Sequence, residues 1–208
     1  RIRADRGNID GAQSAFRSAT QADPNNSYGW SKLGETVFVK AQQSGSKPLF
    51  DEALTYYKKA RGIFDYNVEA WAGEGNVYFS YASRFKDFTF IPLAEQAYKN
   101  SFNADINYWP ARLNYAKILY GQGPSKFSEA IKQFNHIIGR LYPENPEARY
   151  LAGKIYQAQG NLGAAYQLYS SAIQLGLPGS QLTDCQSQLQ FVTQELQKQQ
   201  YGGQQQPQ

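Results

Sequence analysis

Residues 150–173 read YLAGKIYQAQGNLGAAYQLYSSAI, and small residues and aromatics recur there at helical spacing. Ala152, Gly153 and Tyr156 fall on one face of a first helix, and Gly160 interrupts it. Ala165, Tyr169 and Ala172 mark one face of a second helix, closed by Leu177-Pro178. Steps of three and four residues are the signature of a buried helical stripe. Small side chains let two helices approach closely and the aromatics fill the space left between them, so the stretch predicts a helical hairpin.

The same frame recurs upstream, and a recurring period decides the fold before any single motif does. Trp30, Leu33, Gly34 and Val37 precede Ala53, Tyr57 and Ala60. Trp71, Gly75 and Tyr78 precede Ala94, Tyr98 and Ser101. Ala116 and Leu119 precede Ala130, Phe134 and Ile137. Gly7, Ala12, Phe16, Ala19 and Pro24 supply the second half of a unit whose first helix is missing.

This pattern resembles the tetratricopeptide repeat, W-x2-L-G-x2-Y, then A-x3-F, then Pro. Trp30-Ser31-Lys32-Leu33-Gly34 matches its opening. The resemblance covers about residues 1–179 and implies an all-α, right-handed solenoid of helical hairpins with a C-terminal capping helix. There are departures: Glu74 stands where a Leu belongs, Asp65 replaces a closing Pro, and the unit beginning near Trp109 is the least regular. The expected division is 1–26 (second helix of a truncated repeat), 27–67 and 68–108 (repeats with lengthened hairpins), 109–145 (irregular), 146–179 (regular), 180–200 (capping helix) and 201–208 (disordered tail).

The lengthening follows from spacing. Gly153 to Ala165 is twelve residues, whereas Gly34 to Ala53 and Gly75 to Ala94 are nineteen each. One helical turn takes about 3.6 residues, so about one extra turn in each arm keeps the buried faces in phase. Phe85, Phe88 and Phe90 then fall at a hairpin tip. Two readings follow: they pack against the neighbouring long hairpin, or they form a secondary exposed patch for a partner.

At the far end, Leu182, Cys185, Leu189, Val192 and Leu196 form one apolar stripe with Gln and Ser opposite, preceded by Ser180 as the expected N-cap. Cys185 lies on that stripe and is read as a small buried hydrophobe. The tail from Tyr201 is too polar to bury a core. The chain begins at Arg1 and contains no Met, which predicts a processed piece with more repeats upstream.

Chemistry is sparse. One Cys excludes a disulfide within the chain, and a lone histidine, His136, sits in a helical pattern with no zinc-ligand spacing around it. Gly73-Glu74-Gly75 and Gly121-Gln122-Gly123 do not continue into a phosphate loop. These features predict no enzyme and no cofactor. Hydrophobic residues make up 41% of the chain, enough for a core, yet no apolar run reaches the about 18–20 residues that cross a bilayer. Lys and Arg are scattered despite a net charge of +4, which weighs against nucleic acid as a partner.

In the resembling family the first helix of each hairpin lines a concave surface that grips an extended peptide or a partner's helix. Carried onto this chain, the resemblance places Tyr28, Ser31, Lys32, Glu35 and Phe38 on that surface, then Ala72, Asn76 and Phe79. Leu113, Asn114, Lys117 and Tyr120 follow, and then Tyr150, Leu151, Lys154 and Gln157. Phe38, Phe79 and Tyr120 are expected as an aromatic column, Asn76 and Asn114 as backbone-binding amides, and Lys117 and Lys154 as positive charge toward one end. Some family members hold a C-terminal carboxylate with a Lys–Asn–Asn–Lys–Arg clamp. Asn76 and Asn114 match its asparagines, but Ala72, Glu147 and Leu151 replace its cations, so that specificity does not carry over. The expected function is a protein–protein interaction scaffold. The alternative is self-association through the array ends or the Phe-rich tips.

Overall fold

The computed structural model describes residues 6–202; the part of the expected disordered tail at 203–208 lies outside them. Ten α-helices are found among the described residues: α1 (Arg6–Ala22), α2 (Ser27–Ser44), α3 (Lys47–Ile63), α4 (Val68–Arg84), α5 (Ile91–Ala104), α6 (Trp109–Gly121), α7 (Phe127–His136), α8 (Pro146–Ala158), α9 (Leu162–Gln174) and α10 (Gly179–Gly202). The chain divides into two compact units, Arg1–Tyr115 and Ala116–Gln208.

Local chemistry sets the helix starts. Asn26, Asn67, Asn145 and Asn161 each stand immediately before a helix, and their side-chain carbonyls accept from the N–H groups of Gly29, Ala70, Ala148 and Ala164. Each such cap contributes about 1 kcal/mol. A second device fastens the loops. The indole Nε1 of Trp30 donates to the Pro24 carbonyl at 2.9 Å, and that of Trp71 to the Asp65 carbonyl at 2.7 Å, six residues back in both cases. Arg149 takes the same place in the last hairpin and donates from its guanidinium to the Pro143 carbonyl at 2.6 Å.

In the first unit α1 lies on α2, and α2 and α3, then α4 and α5, pair as hairpins. The core is made by aromatics from second helices pressed against glycines of first helices. A Cβ at Gly34 would stand 3.0 Å from the Tyr57 ring, and one at Gly73 only 2.2 Å from it. Tyr57 is thereby held between two successive first helices, 3% exposed. Tyr98 is set against Gly75 in the same way, where a Cβ would come within 2.6 Å.

Glu74 occupies the Leu position and is nonetheless 3% exposed. Its carboxylate accepts from Arg61 Nε at 2.8 Å, and the guanidinium covers the Trp71 ring at 4.2 Å from its centre. Burial raises the Glu74 pKa, and Arg61 opposes that rise without cancelling it.

The Phe-rich tip packs inward. Phe85 caps α4 and meets Phe50 edge-on at 5.8 Å, and Phe90 stacks on Tyr81 at 4.6 Å and on Tyr78 at 5.8 Å. A short 3-10 turn at Phe88–Phe90 makes this possible by turning Phe90 back over α4. Only Phe88 of the three remains outside, 66% exposed, so the trio does not form one apolar patch. Burying a ring such as Phe50, 1% exposed, stabilises the unit by about 2 kcal/mol.

The second unit contains α7 to α10 and the end of α6. Here Tyr169 lies against Gly153, where a Cβ would come within 2.7 Å. The irregular region resolves into a π-helical turn, Ile137–Leu141, continuing α7. Helix α10 covers α9 with Cys185 and Val192, both fully buried. It begins at Gly179, so Ser180 falls in its first turn and not at the cap as its sequence suggested. Burial raises the Cys185 thiol pKa to about 11, which keeps it a protonated, inert core group.

Candidate functional site

Within the first unit, the exposed side of α2 and α4 forms an open cleft of about 250 Å³. Ser31, Lys32, Glu35, Phe38, Ala72 and Asn76, all placed on this face by the repeat frame, line it. Both first helices are held by glycines against aromatic rings: α2 by Gly34 on Tyr57, and α4 by Gly73 on Tyr57 and by Gly75 on Tyr98.

Charge in the cleft is organised around Lys32. Its Nζ lies 3.0 Å from Glu35 on its own helix and 3.0 Å from Glu69 on α4. Burial disfavours the ammonium, but the hydrogen bonds to Glu69 and Glu35 together outweigh it and raise the Lys32 pKa. Two carboxylates therefore share one cation.

Deeper in the unit, Asn76 Oδ1 accepts from Tyr98 Oη at 2.8 Å and from Asn114 Nδ2 at 2.9 Å. The Asn76 carbonyl expected for a ligand's backbone is thus engaged internally and acts as a joint between α4, α5 and α6. Burial raises the Tyr98 phenol pKa, which keeps it a donor to that joint.

The three aromatics expected as a column each have packing partners of their own or partial burial. Phe38 is 7% exposed and meets Phe50 edge-on at 5.7 Å, at the floor of the cleft. Phe79 is half-buried on α4, and Tyr120 stacks on Phe127 at 5.9 Å within its own hairpin. Tyr28 stands outside, 60% exposed, with Lys32 5.4 Å from its ring centre.

In the second unit both expected cations are paired. Lys117 Nζ bonds Glu147 at 2.7 Å, and Lys154 Nζ bonds Asp184 at 3.1 Å. Tyr150 Oη also donates to Asp184, Gln157 donates to Gln188 at 2.9 Å, and Tyr169 Oη donates to Gln157 at 2.6 Å. The polar side of α10 thus satisfies the groove positions of α8. The bond from Tyr150, with those from Lys154, lowers the Asp184 pKa.

Sequence reasoning missed one feature of this surface. Beside the cleft, Tyr28, Phe64, Tyr66 and Tyr108 line an apolar hollow of about 490 Å³. The signal was the aromatics at loop positions in Phe64-Asp65-Tyr66 and Asn107-Tyr108-Trp109. Among the described residues no cluster of His, Cys, Asp and Glu suits a metal ion, and no helix is long and apolar enough to cross a membrane.

Residues 125–176 match the model of the tetratricopeptide repeat family. No curated protein matches the chain. Among solved structures it is similar to MamA, at 22% identity over 81% of this chain and 89% of that one, with a TM-score of 0.62. It is similar to TTC0263, a thermophilic TPR protein in Thermus thermophilus, at 18% identity, 88% and 91% coverage and a TM-score of 0.65. The 41-end form of MamA from Desulfovibrio magneticus RS-1 matches at 15% identity, 84% and 90% coverage and a TM-score of 0.62. These likenesses concern the fold, and tetratricopeptide folds in general serve as protein–protein interaction scaffolds. With the family match at residues 125–176 and helical hairpins shared with the solved structures, the chain is all-α and carries a tetratricopeptide-repeat segment at 125–176.

Proposed function

We propose that the chain is a non-catalytic scaffold that binds an extended or helical segment of another protein on the first-helix face, with the α2–α4 cleft as the centre of the contact. The observation that carries this reading is the cleft itself: a concavity with an apolar floor at Phe38 and charged walls at Lys32, Glu35 and Glu69. An apolar hollow with a few oriented polar groups is the usual form of a recognition site. The face of the second unit, at Lys117, Tyr120, Tyr150, Lys154 and Gln157, belongs to the same proposal, with its cations already neutralised internally.

Self-association through the Phe-rich tips has less support, because Phe85 and Phe90 are packed inside their own unit. The test is affinity capture with the wild-type chain beside Glu35→Lys, which reverses an exposed charge at the cleft without disturbing the core. A partner held by wild type and lost by the variant, at unchanged helicity, supports the cleft. Partners held equally by both would remove it as the working surface. Recovery only of further copies of the chain, with mass rising with concentration, would replace the reading by self-assembly.

A further inference from the structure

The hollow lined by Tyr28, Phe64, Tyr66 and Tyr108 adjoins the cleft, since Glu69 and Tyr108 line both. Three observations describe what it accepts. Its rings face outward: Tyr28 is 60%, Phe64 54% and Tyr66 70% exposed, and Phe64 and Tyr66 stand 6.1 Å apart at 47°, splayed and not stacked. The hydroxyls of Tyr28, Tyr66 and Tyr108 have no hydrogen-bond partner among the described residues, so three donors stand unpaired, two of them on exposed rings. At the junction, Glu35 and Glu69 share the single ammonium of Lys32, which leaves one negative charge over.

Resting on the proposed scaffold reading, we infer that this surface takes an extended, proline-containing segment of a partner protein in which a Lys or Arg adjoins the proline. Proline rings pack on aromatic faces, and a polyproline II segment is preformed, so little entropy is lost on docking. That conformation has no internal hydrogen bonds and leaves its carbonyls free. The three phenols are donors placed for them. A helical ligand satisfies its own carbonyls and has no use for these hydroxyls. The basic side chain completes the charge at Glu35 and Glu69, which an acidic segment would oppose.

The experiment is selection of random 12-residue displayed peptides on the intact chain, followed by binding of an enriched peptide, synthesised with a fluorophore, to wild type and to variants. Enriched sequences are expected to carry Lys or Arg within two residues of Pro. Tyr66→Ala, at a ring that supports no core contact, is expected to weaken binding about tenfold, as loss of an exposed aromatic anchor does. Glu69→Gln is expected to lower the preference for a basic over a neutral peptide. Enriched peptides without a basic or proline bias, lost on Glu35→Lys but indifferent to Tyr66→Ala, would overturn the inference and leave the scaffold reading standing. Enrichment of nothing above the display background would overturn both.

Discussion

Arg61 is the sole cationic hydrogen-bond partner of Glu74 among the described residues: its Nε lies 2.8 Å from a carboxylate that is 3% exposed. The pair explains how a charge is tolerated where the repeat calls for Leu. Arg61→Ala strands the carboxylate and is expected to cost about 2–3 kcal/mol, less than in a sealed site because the guanidinium is partly solvated. Glu74→Leu is expected to stabilise. The sign with pH is definite. Burial raises the folded-state pKa above the ordinary 4.5, so Glu74 destabilises the fold as pH rises above 4.5, in full once pH exceeds the raised value. The gain from Glu74→Leu should therefore be larger at pH 8 than at pH 4 in urea denaturation, and an equal gain at both would refute this account.

Tyr57 occupies the volume that a Cβ at Gly73 would need, 2.2 Å from its ring. Gly73→Ala is expected to destabilise by about 1–3 kcal/mol through overpacking. Gly11, in the middle of α1, has nothing within 4 Å of the corresponding position. Gly11→Ala is expected to stabilise by up to about 1 kcal/mol through helix propensity. Thermal midpoints moving in opposite directions would verify both.

Asp184 joins α10 to α8 through Tyr150 and Lys154. Its folded-state pKa is lowered below the ordinary 3.8, so its contribution is present above pH 3.8 and is lost as pH falls through the lowered value. Asp184→Asn should destabilise α10 at pH 7, and its difference from wild type should shrink as pH falls below 3.8. Amide exchange along α10, followed with pH, reads this directly.

Phe90 and Phe88 are two residues apart and are predicted to differ sharply. Phe90→Ala removes a ring stacked on Tyr81 and Tyr78 and should cost about 3 kcal/mol, somewhat less if the tip collapses. Phe88→Ala removes an exposed ring and should stay within about 0.5 kcal/mol of wild type. Similar losses at both positions would contradict the packing described.

The hairpin frame was readable because its signal is local: Gly34, Gly75 and Gly153 precede Tyr57, Tyr98 and Tyr169 by 23, 23 and 16 residues, the first two intervals longer by the same seven, and each pair meets within one hairpin. The face on which Lys32, Glu35 and Asn76 sit followed from the same phase. Their electrostatics did not. Glu69, Glu147 and Asp184 lie 30 or more residues from the lysines they bind, on the next first helix or on α10. Which side chains meet across two helices depends on their crossing geometry, and periodicity carries no information on that. Asn76 lines the cleft, yet nothing in its sequence neighbourhood shows that Tyr98 and Asn114 converge on its carbonyl.

Because Tyr57 is clasped by glycines from two different hairpins, the α2–α3 hairpin is incomplete without its successor. A hairpin spliced in between α3 and α4 has to bring a glycine at its own first-helix position to receive Tyr57, and an aromatic on its second helix to fill the gap at Gly73. That seam thus carries a grammar for its own extension: a repeat that ends in a ring and begins with a bare backbone can be added there, and any other insert leaves either a hole or a collision.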